Sequence, residues 1–348
     1  MKALILSGGE GTRLRPFTLS APKALLPLVN VPFICYQIQL LAHYGIKEVV
    51  LALGSNRALF RDVLGNGEAW GVRIHYSVEE KPLGTGGAIK HAAPFFQGEP
   101  FFVLNGDVLA DADLLKMAAF HKESRAIATI AGTVVEDPSP FGLLEISQYG
   151  RLTGFLEKPD ANGAGIINAG IYLFEPEIFS MMEEDMPLSV ERDVFPRLLR
   201  EGFPLFSYIT RGYWLDIGTC EKFFTATGDI LEGRFASSTL YDKGCVKDEK
   251  RPDGINLEGR VVWGAGAKAM GAARIKKWAV VGNNAVIGQG AILEESILFE
   301  GAEIEEGCVI KRSIIGHSAI VGQHSSISGL FLAGGSSLQP FTKISSRE

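Results

Sequence analysis

The chain has 348 residues, 46% of them hydrophobic and 21% charged, with a net charge of −6. That length allows two domains, each with a sizeable core. The acidic balance excludes a general nucleic-acid binder or a membrane-surface protein, so any basic site is local. Cys35, Cys220, Cys245 and Cys308 are far apart and show no metal-ligand or redox spacing, which implies reduced thiols in a cytoplasmic protein. No apolar run reaches transmembrane length, and the N-terminal one ends at Leu6.

In chain order, Lys2-Ala-Leu-Ile-Leu6 reads as a short buried strand, followed by Ser7-Gly-Gly-Glu-Gly-Thr-Arg-Leu-Arg15 and then Pro22-Lys23. Gly8, Gly9 and Gly11 leave backbone N–H groups unshielded and able to curl around an anion or a base edge. Arg13, Arg15 and Lys23 place positive charge along the same loop, where phosphate oxygens would need it. The loop is not a Walker A motif, because Thr-Arg follows Gly11, and Leu14 stands where a dinucleotide fingerprint needs its third glycine.

A proline at 32 and Gly45 bracket a helix over residues 32–44, with Ile34, Ile38 and Leu41 apolar. Strands are predicted at 48–53, 101–104 and 126–135, and helices at 85–96 and 111–122. This alternation predicts an α/β, Rossmann-like domain whose mostly parallel sheet is covered on both faces. Ligands of such sheets lie beyond the carboxyl ends of strands, where both the Gly8 loop and Asn105-Gly-Asp107 fall. Residues 142–174 are strand-rich, and two further helices and a strand lead to Tyr213-Trp-Leu-Asp-Ile-Gly218.

Composition shifts near Phe235, so the expected organisation is a catalytic domain over 1–235, a linker over 236–252, a repeat domain over 253–331 and a loosely ordered tail over 332–348. In the repeat domain an aliphatic residue recurs about every six residues, often followed by glycine. Val281, Ile287, Leu293, Ile304, Ile310, Ile315, Val321 and Ile327 mark its register. That period suits a left-handed parallel β-helix with the aliphatic side chains inside. Phe299, Leu330 and Phe331 fall outside the register and are candidates for a surface covered by a second copy of the chain.

Asp107 ends an apolar strand and Asp216 sits among Trp214, Leu215 and Ile217. Carboxylates in such settings need a cation, and Mg²⁺ on phosphates takes one or two of them; either residue alone could serve as a turn former or helix cap, but their joint appearance with the Gly8 loop makes a shared metal the better reading. Glu157-Lys158 offers a hydroxyl acceptor beside a phosphate-binding ammonium, and Asn168 offers both donor and acceptor to sugar hydroxyls. Leu83-Gly-Thr-Gly-Gly87 either lays backbone against a purine base or is a glycine-rich helix entry. His317 and His324 raise an acyltransferase alternative, which rests on a shared repeat fold alone.

The opening loop resembles the Gly-Gly-x-Gly-Thr-Arg-Leu-x-Pro-x-Thr…Pro-Lys signature of the sugar nucleotidyltransferases, and the resemblance extends through residues 1–232. Within that family the chain is most similar to the mannose-1-phosphate guanylyltransferases. The grounds are Pro82-Leu-Gly-Thr, Asp137-Pro-Ser-Pro-Phe-Gly142, Glu157-Lys-Pro, Ile167-Asn-Ala-Gly-Ile-Tyr172, Ser189-Val-Glu-Arg-Asp-Val-Phe-Pro196 and Trp214-Leu-Asp-Ile-Gly218. The resemblance implies that Gly8, Gly9, Gly11, Thr12 and Arg13, with Leu83, Gly84 and Thr85, hold a nucleoside triphosphate such as GTP, with Lys23 near the reacting phosphates. It further implies Mg²⁺ on Asp107 and Asp216, and a sugar 1-phosphate held by Gly142, Glu157, Lys158 and Asn168. Assembly as a homo-oligomer through the repeat domain is implied as well. Ala24 stands where the family usually has proline and Ser7 where alanine is common. Residues 83–87 are also similar to heptose-1-phosphate guanylyltransferases, and the general organisation to glucose-1-phosphate uridylyl- and thymidylyltransferases. A catalytically silent regulatory relative is the remaining alternative, against which Arg13, Lys23, Asp107 and Asp216 all argue.

Overall fold

Ala3–Leu6 has no polar face, and it is satisfied by burial between two parallel neighbours, Glu48–Leu53 and Phe101–Asn105. The computed structural model describes residues 1–54, 57–96, 98–160, 163–184, 186–235 and 254–345. Within them the chain divides into two compact units, the first formed by Met1–Gly9 and Ile34–Leu215. Its sheet continues in parallel through Arg73–Val78, with helices α1 (Ile34–His43), α2 (Arg57–Leu64) and α3 (Gly84–His91) in the connections. This is the Rossmann-like half that the alternation predicts. On its other side Gly165–Phe174 pairs antiparallel with Phe101–Asn105 and with Ala128–Val135. Gly142–Ile146 and Leu152–Glu157 form an antiparallel pair at the sheet edge, and Leu205–Ile209 joins Ala128–Val135 in parallel. Helix α4 (Leu114–Ser124) starts at Asp113, whose carboxylate accepts the Lys116 N–H at 3.0 Å, and α5 (Phe195–Arg200) is a short helix before the last of these strands. The predicted helix over 85–96 is shorter, because α3 stops at His91 and Ala93–Phe95 forms a separate 3₁₀ turn with a proline inside it.

The second unit contains Glu10–Phe33 together with the described residues from Asp216 onward. Its main body is two sheets of parallel strands, in which each strand pairs with one seventeen or eighteen residues further on: Asn256 with Arg274, and Ile292 with Val309. Three six-residue repeats therefore make one turn of the coil, as in a β-helix. Ile275, Leu293, Ile310 and Ile327 stack in one interior ladder and Val281, Leu298, Ile315 and Leu332 in another, all of them buried. The pairing runs on through Lys343–Ser345, so residues 332–345 belong to the coil and not to a loose tail. The predicted linker over 236–252 lies outside the described residues.

Aromatic packing joins residues from both sides of the boundary expected at 235. Phe17 lies 5.2 Å from the Phe299 ring, which also meets Phe223 of α6 (Cys220–Leu231) edge-on at 6.1 Å. Phe224 packs on Trp278 at 5.1 Å, and Asn30 Nδ2 donates to the Val281 carbonyl at 2.8 Å. The opening loop and α6 are thereby held on the coil. Phe299 is 2% exposed and covered by its own chain, so it is not available to a second copy, while Leu330 packs on the coil interior. His317 packs tilted against Phe299 and His324 stacks on Phe341, a packing role for both.

No helix among the described residues is long and apolar enough to cross a membrane. Cys35, Cys220 and Cys308 are buried free thiols.

His121 of α4 is 2% exposed, and burial lowers its pKa to about 4. A neutral ring protonated on Nε2 satisfies both neighbours, donating to Glu175 at 3.3 Å and accepting from the Thr129 hydroxyl at 2.7 Å. A base whose folded pKa is depressed stabilises the fold above its unfolded value of about 6.5 and loses that contribution as pH falls toward 4. Denaturant titrations should therefore show a stability loss on the order of 3 kcal/mol between those pH values, and His121→Gln should flatten the slope.

Candidate functional site

The site residues read from the sequence divide between the two units. In the first unit, the carboxyl ends of the adjacent strands Ala3–Leu6 and Phe101–Asn105 deliver Ser7-Gly-Gly9 and Gly106-Asp107 side by side. The Gly106 N–H donates to the Leu6 carbonyl at 2.9 Å. A Cβ at position 106 would collide with that oxygen and come within 2.7 Å of Ser7 Oγ, so only glycine allows this approach. Gln37 of α1, which the sequence reading passed over, donates through Nε2 to the carbonyls of Asn105 (2.7 Å) and Val108 (2.9 Å) and clamps both ends of the Asp107 turn. Asp107 is half-buried, and Gly8 and Gly9 are exposed.

The sugar-side candidates of this unit also come together. Glu157 pairs with Gly142 across the edge strands, and Lys158, at φ +50°, donates its N–H to the Phe141 carbonyl at 2.9 Å. Asn168 begins an irregularity in the Gly165–Phe174 strand, where the register slips before Tyr172. Gly170 sits in this slip at φ +71° because a Cβ there would lie 2.9 Å from Asn105 Nδ2. The Ala169 carbonyl in the slip accepts from Trp214 Nε1 at 2.9 Å, and the Trp214 ring stands edge-on to Phe141 at 5.3 Å.

Leu83-Gly-Thr-Gly-Gly87 takes the helix-entry role in part. The Gly86 and Gly87 N–H groups both donate to the Leu188 carbonyl, and the Leu83 N–H donates to Glu79. These three donors hold the turn and do not present themselves to a base. The Thr85 hydroxyl donates to Glu191 at 2.8 Å.

In the second unit, Gly11 (φ +62°) turns the loop into a 3₁₀ turn over Thr12–Leu14, and its carbonyl accepts from the Thr18 hydroxyl at 2.8 Å. Lys23 starts the third 3₁₀ turn of this segment, after Phe17–Leu19, its Cβ against Gly11. Arg13 is exposed at its backbone turn, yet its guanidinium comes to Gly218, where an added Cβ would lie 3.1 Å from Arg13 Nη2 and 3.1 Å from Asp216 Oδ1. Gly11, Thr12, Arg13, Lys23 and Asp216 are thus gathered in one unit. Asp216 Oδ2 accepts from Lys222 Nζ at 3.0 Å, a partner in the first turn of α6 that no motif pointed to. Asp216 Oδ1 is buried and accepts no hydrogen bond among the described residues. A carboxylate oxygen left in that state is costly, and a divalent cation would relieve it, so the chemistry of Asp216 fits a Mg²⁺ ligand. Among the described residues no group of three or more His, Cys, Asp and Glu side chains could hold a metal ion.

Burial raises the pKa of Glu157 above the usual carboxylate range, and the negative charge of Glu191 raises it further against the opposing pull of Lys158 and Arg192. Its ionised form is therefore lost at a higher pH than for an ordinary glutamate. A carboxyl-carbon NMR titration should place the Glu157 midpoint above that range, and Glu191→Gln should bring it down, because a neighbouring negative charge favours the proton.

A family model described as nucleotidyl transferase matches residues 2–233, and one described as the GMPPB C-terminal domain matches residues 257–338. The chain is similar to the mannose-1-phosphate guanylyltransferase of Mycobacterium tuberculosis, with 40% identity over 239 residues, 68% of this chain and 67% of that protein. It is 41% identical over 232 residues to the mannose-1-phosphate guanyltransferase of Yarrowia lipolytica, covering 65% of this chain and 63% of that one. The matches therefore span about two thirds of the length of these curated relatives. Among solved structures, HddC from Yersinia pseudotuberculosis complexed with GMP-PN superposes with a TM-score of 0.59 and 28% identity, over 66% of this chain and 99% of that one.

Proposed function

The chain belongs to the nucleotidyl transferase family, and on that premise we propose that it transfers a guanylyl group from GTP to mannose 1-phosphate, giving GDP-mannose and pyrophosphate. The geometric observation that carries the reading is the meeting at Gly218 of the Arg13 guanidinium and an unsatisfied Asp216 oxygen, a paired cationic and metal-ready group suited to phosphates. The choice of base and sugar rests on the names of the two relatives above, both mannose-1-phosphate guanylyltransferases, and on the GMP-PN in the HddC complex.

In this reaction a phosphate oxygen of the sugar 1-phosphate forms a bond to the α-phosphorus, and the bond from that phosphorus to the β-bridging oxygen breaks. The electron pair leaves with pyrophosphate. The nucleophile is already ionised at neutral pH, so no side chain has to remove a proton. The work of the protein is positioning and charge stabilisation. Gly8, Gly9, Gly11 and Thr12 hold the triphosphate, with Leu83, Gly84 and Thr85 on the nucleoside side. Arg13 and Lys23 neutralise charge that develops on the leaving group. Gly142, Glu157 and Asn168 orient the sugar, and Lys158 takes its phosphate. Asp107 and Asp216 are the proposed Mg²⁺ ligands, and the bound ion would supply Lewis-acid neutralisation of the phosphate oxygens. The repeat domain, with the left-handed coil its six-residue period suggests, is the proposed means of homo-oligomer assembly. Its exposed Met270, Ile320 and Phe341 replace Phe299 as candidate contacts. Buried free thiols support a cytoplasmic location.

A panel of GTP, UTP and dTTP against mannose, heptose and glucose 1-phosphates, scored by pyrophosphate release, tests the reading. Mg²⁺-dependent turnover should be greatest with GTP and mannose 1-phosphate; faster turnover of another pair would overturn the substrate assignment and leave the reaction class standing. Asp107→Ala and Asp216→Ala should each lower kcat by about 10²–10³ without unfolding the protein, and near-normal rates in either would remove that residue from the metal site. Light scattering should find the full chain oligomeric, and a strict monomer at micromolar concentration would refute the assembly role.

A further inference from the structure

Glu191 has no part in the reaction as described, yet four side chains of the first unit are organised around it. It lies in a single π-helical turn, Val190–Val194, entered from Ser189 and leading into α5. Its Oε2 accepts from the hydroxyls of Thr85 (2.8 Å) and Ser189 (2.9 Å), and its Oε1 accepts from Tyr172 Oη at 3.2 Å. The Tyr172 oxygen in turn accepts from Asn168 Nδ2 at 2.8 Å, and Asn168 Oδ1 accepts the Gly170 N–H at 2.9 Å. The Thr85 hydroxyl oxygen also accepts the Val190 N–H at 2.9 Å.

The direction of these bonds follows from what each group can donate. An ionised carboxylate can only accept, so the Tyr172 and Thr85 hydroxyls must both spend their single proton on Glu191. Tyr172, fully buried between Phe174 and Phe195, has no other proton to give, so its oxygen accepts from Asn168, with Asn105 a second side-chain partner. The Gly170 N–H, which can only donate, turns the Asn168 oxygen to the backbone, so the amide nitrogen faces Tyr172 with one N–H left over. A neutral group in place of Glu191 would remove the charged acceptor that holds both hydroxyls, and the Tyr172 oxygen against which the Asn168 amide rests would lose its anchor.

We propose that Glu191 is a positioning residue, whose carboxylate anchors the Tyr172 hydroxyl against which the sugar-side Asn168 rests and holds the nucleotide-side Thr85 directly, and so keeps the two substrate subsites in register. The inference rests on the assignment of Asn168 and Thr85 to those subsites.

The test uses the full-length protein and three near-isosteric variants, Glu191→Gln, Tyr172→Phe and the double variant, with each substrate varied in turn on the best pair from the substrate panel. Thermal melts establish that each variant is folded. Glu191→Gln should raise the KM for the sugar 1-phosphate about tenfold and that for the nucleotide several-fold, with a smaller change in kcat. Tyr172→Phe should raise only the sugar KM, and the double variant should add nothing on that KM beyond Tyr172→Phe, since both act through one bond. Folded variants with sugar KM values within twofold of wild type would overturn the role of Glu191, as would independent effects that multiply in the double variant. A wild-type protein that turns over no pair at all would instead contradict the functional reading, and this inference with it.

Discussion

The hydrogen bond from the Gly106 N–H to the Leu6 carbonyl is the contact on which the first unit's chemistry depends. Two parallel strands end there together, and the absence of a side chain at 106 lets their loops run in backbone contact. The glycine loop leaves from one strand end and the Asp107 turn from the other, so a glycine-rich backbone and a carboxylate emerge from the same edge of the sheet. Gln37 then holds the turn from beneath, which makes α1 part of the site's support as well as of the core. A parallel sheet delivers such an arrangement without any long-range design, because all its strand ends face one way.

Electrostatics accounts for why the site needs so few groups. A reaction whose nucleophile and leaving group are both anions requires positive charge and fixed geometry more than proton transfer. Arg13 and Lys23 supply permanent charge, and the Asp216 carboxylate is held by Lys222 through one oxygen while the other is left unsatisfied in a buried position. The acidic net charge of the chain is compatible with this, since the cationic groups are concentrated on one short loop.

Features carried by local pattern were legible in the sequence. The glycine loop, the α/β alternation, the strand ending at Asp107 and the six-residue aliphatic ladder each depend on neighbours in the chain, and each is present in the structure. Features carried by contacts between distant residues were not. Nothing near Phe17 announces Phe299, so the membership of Glu10–Phe33 in the second unit could not be read. The Gly/Ser-rich stretch after Phe331 looks like a tail because small residues suit turns of a coil as well as disorder, and only its pairing with Ser326–Ser328 decides. Glu191 was visible inside the Ser189–Pro196 motif, but its partners lie about a hundred residues upstream at Thr85 and about twenty upstream at Tyr172. Lys222 carried no motif at all.

The central claim is direct transfer to the α-phosphorus by the sugar phosphate, with no covalent protein intermediate. It is tested most directly with GTP made chiral by sulfur at the α-phosphorus, reacted with mannose 1-phosphate and followed by phosphorus NMR of the nucleotide sugar. A single in-line displacement predicts pyrophosphate release with inverted configuration in the product. Retention of configuration, or pyrophosphate released without a nucleotide sugar, would contradict the account.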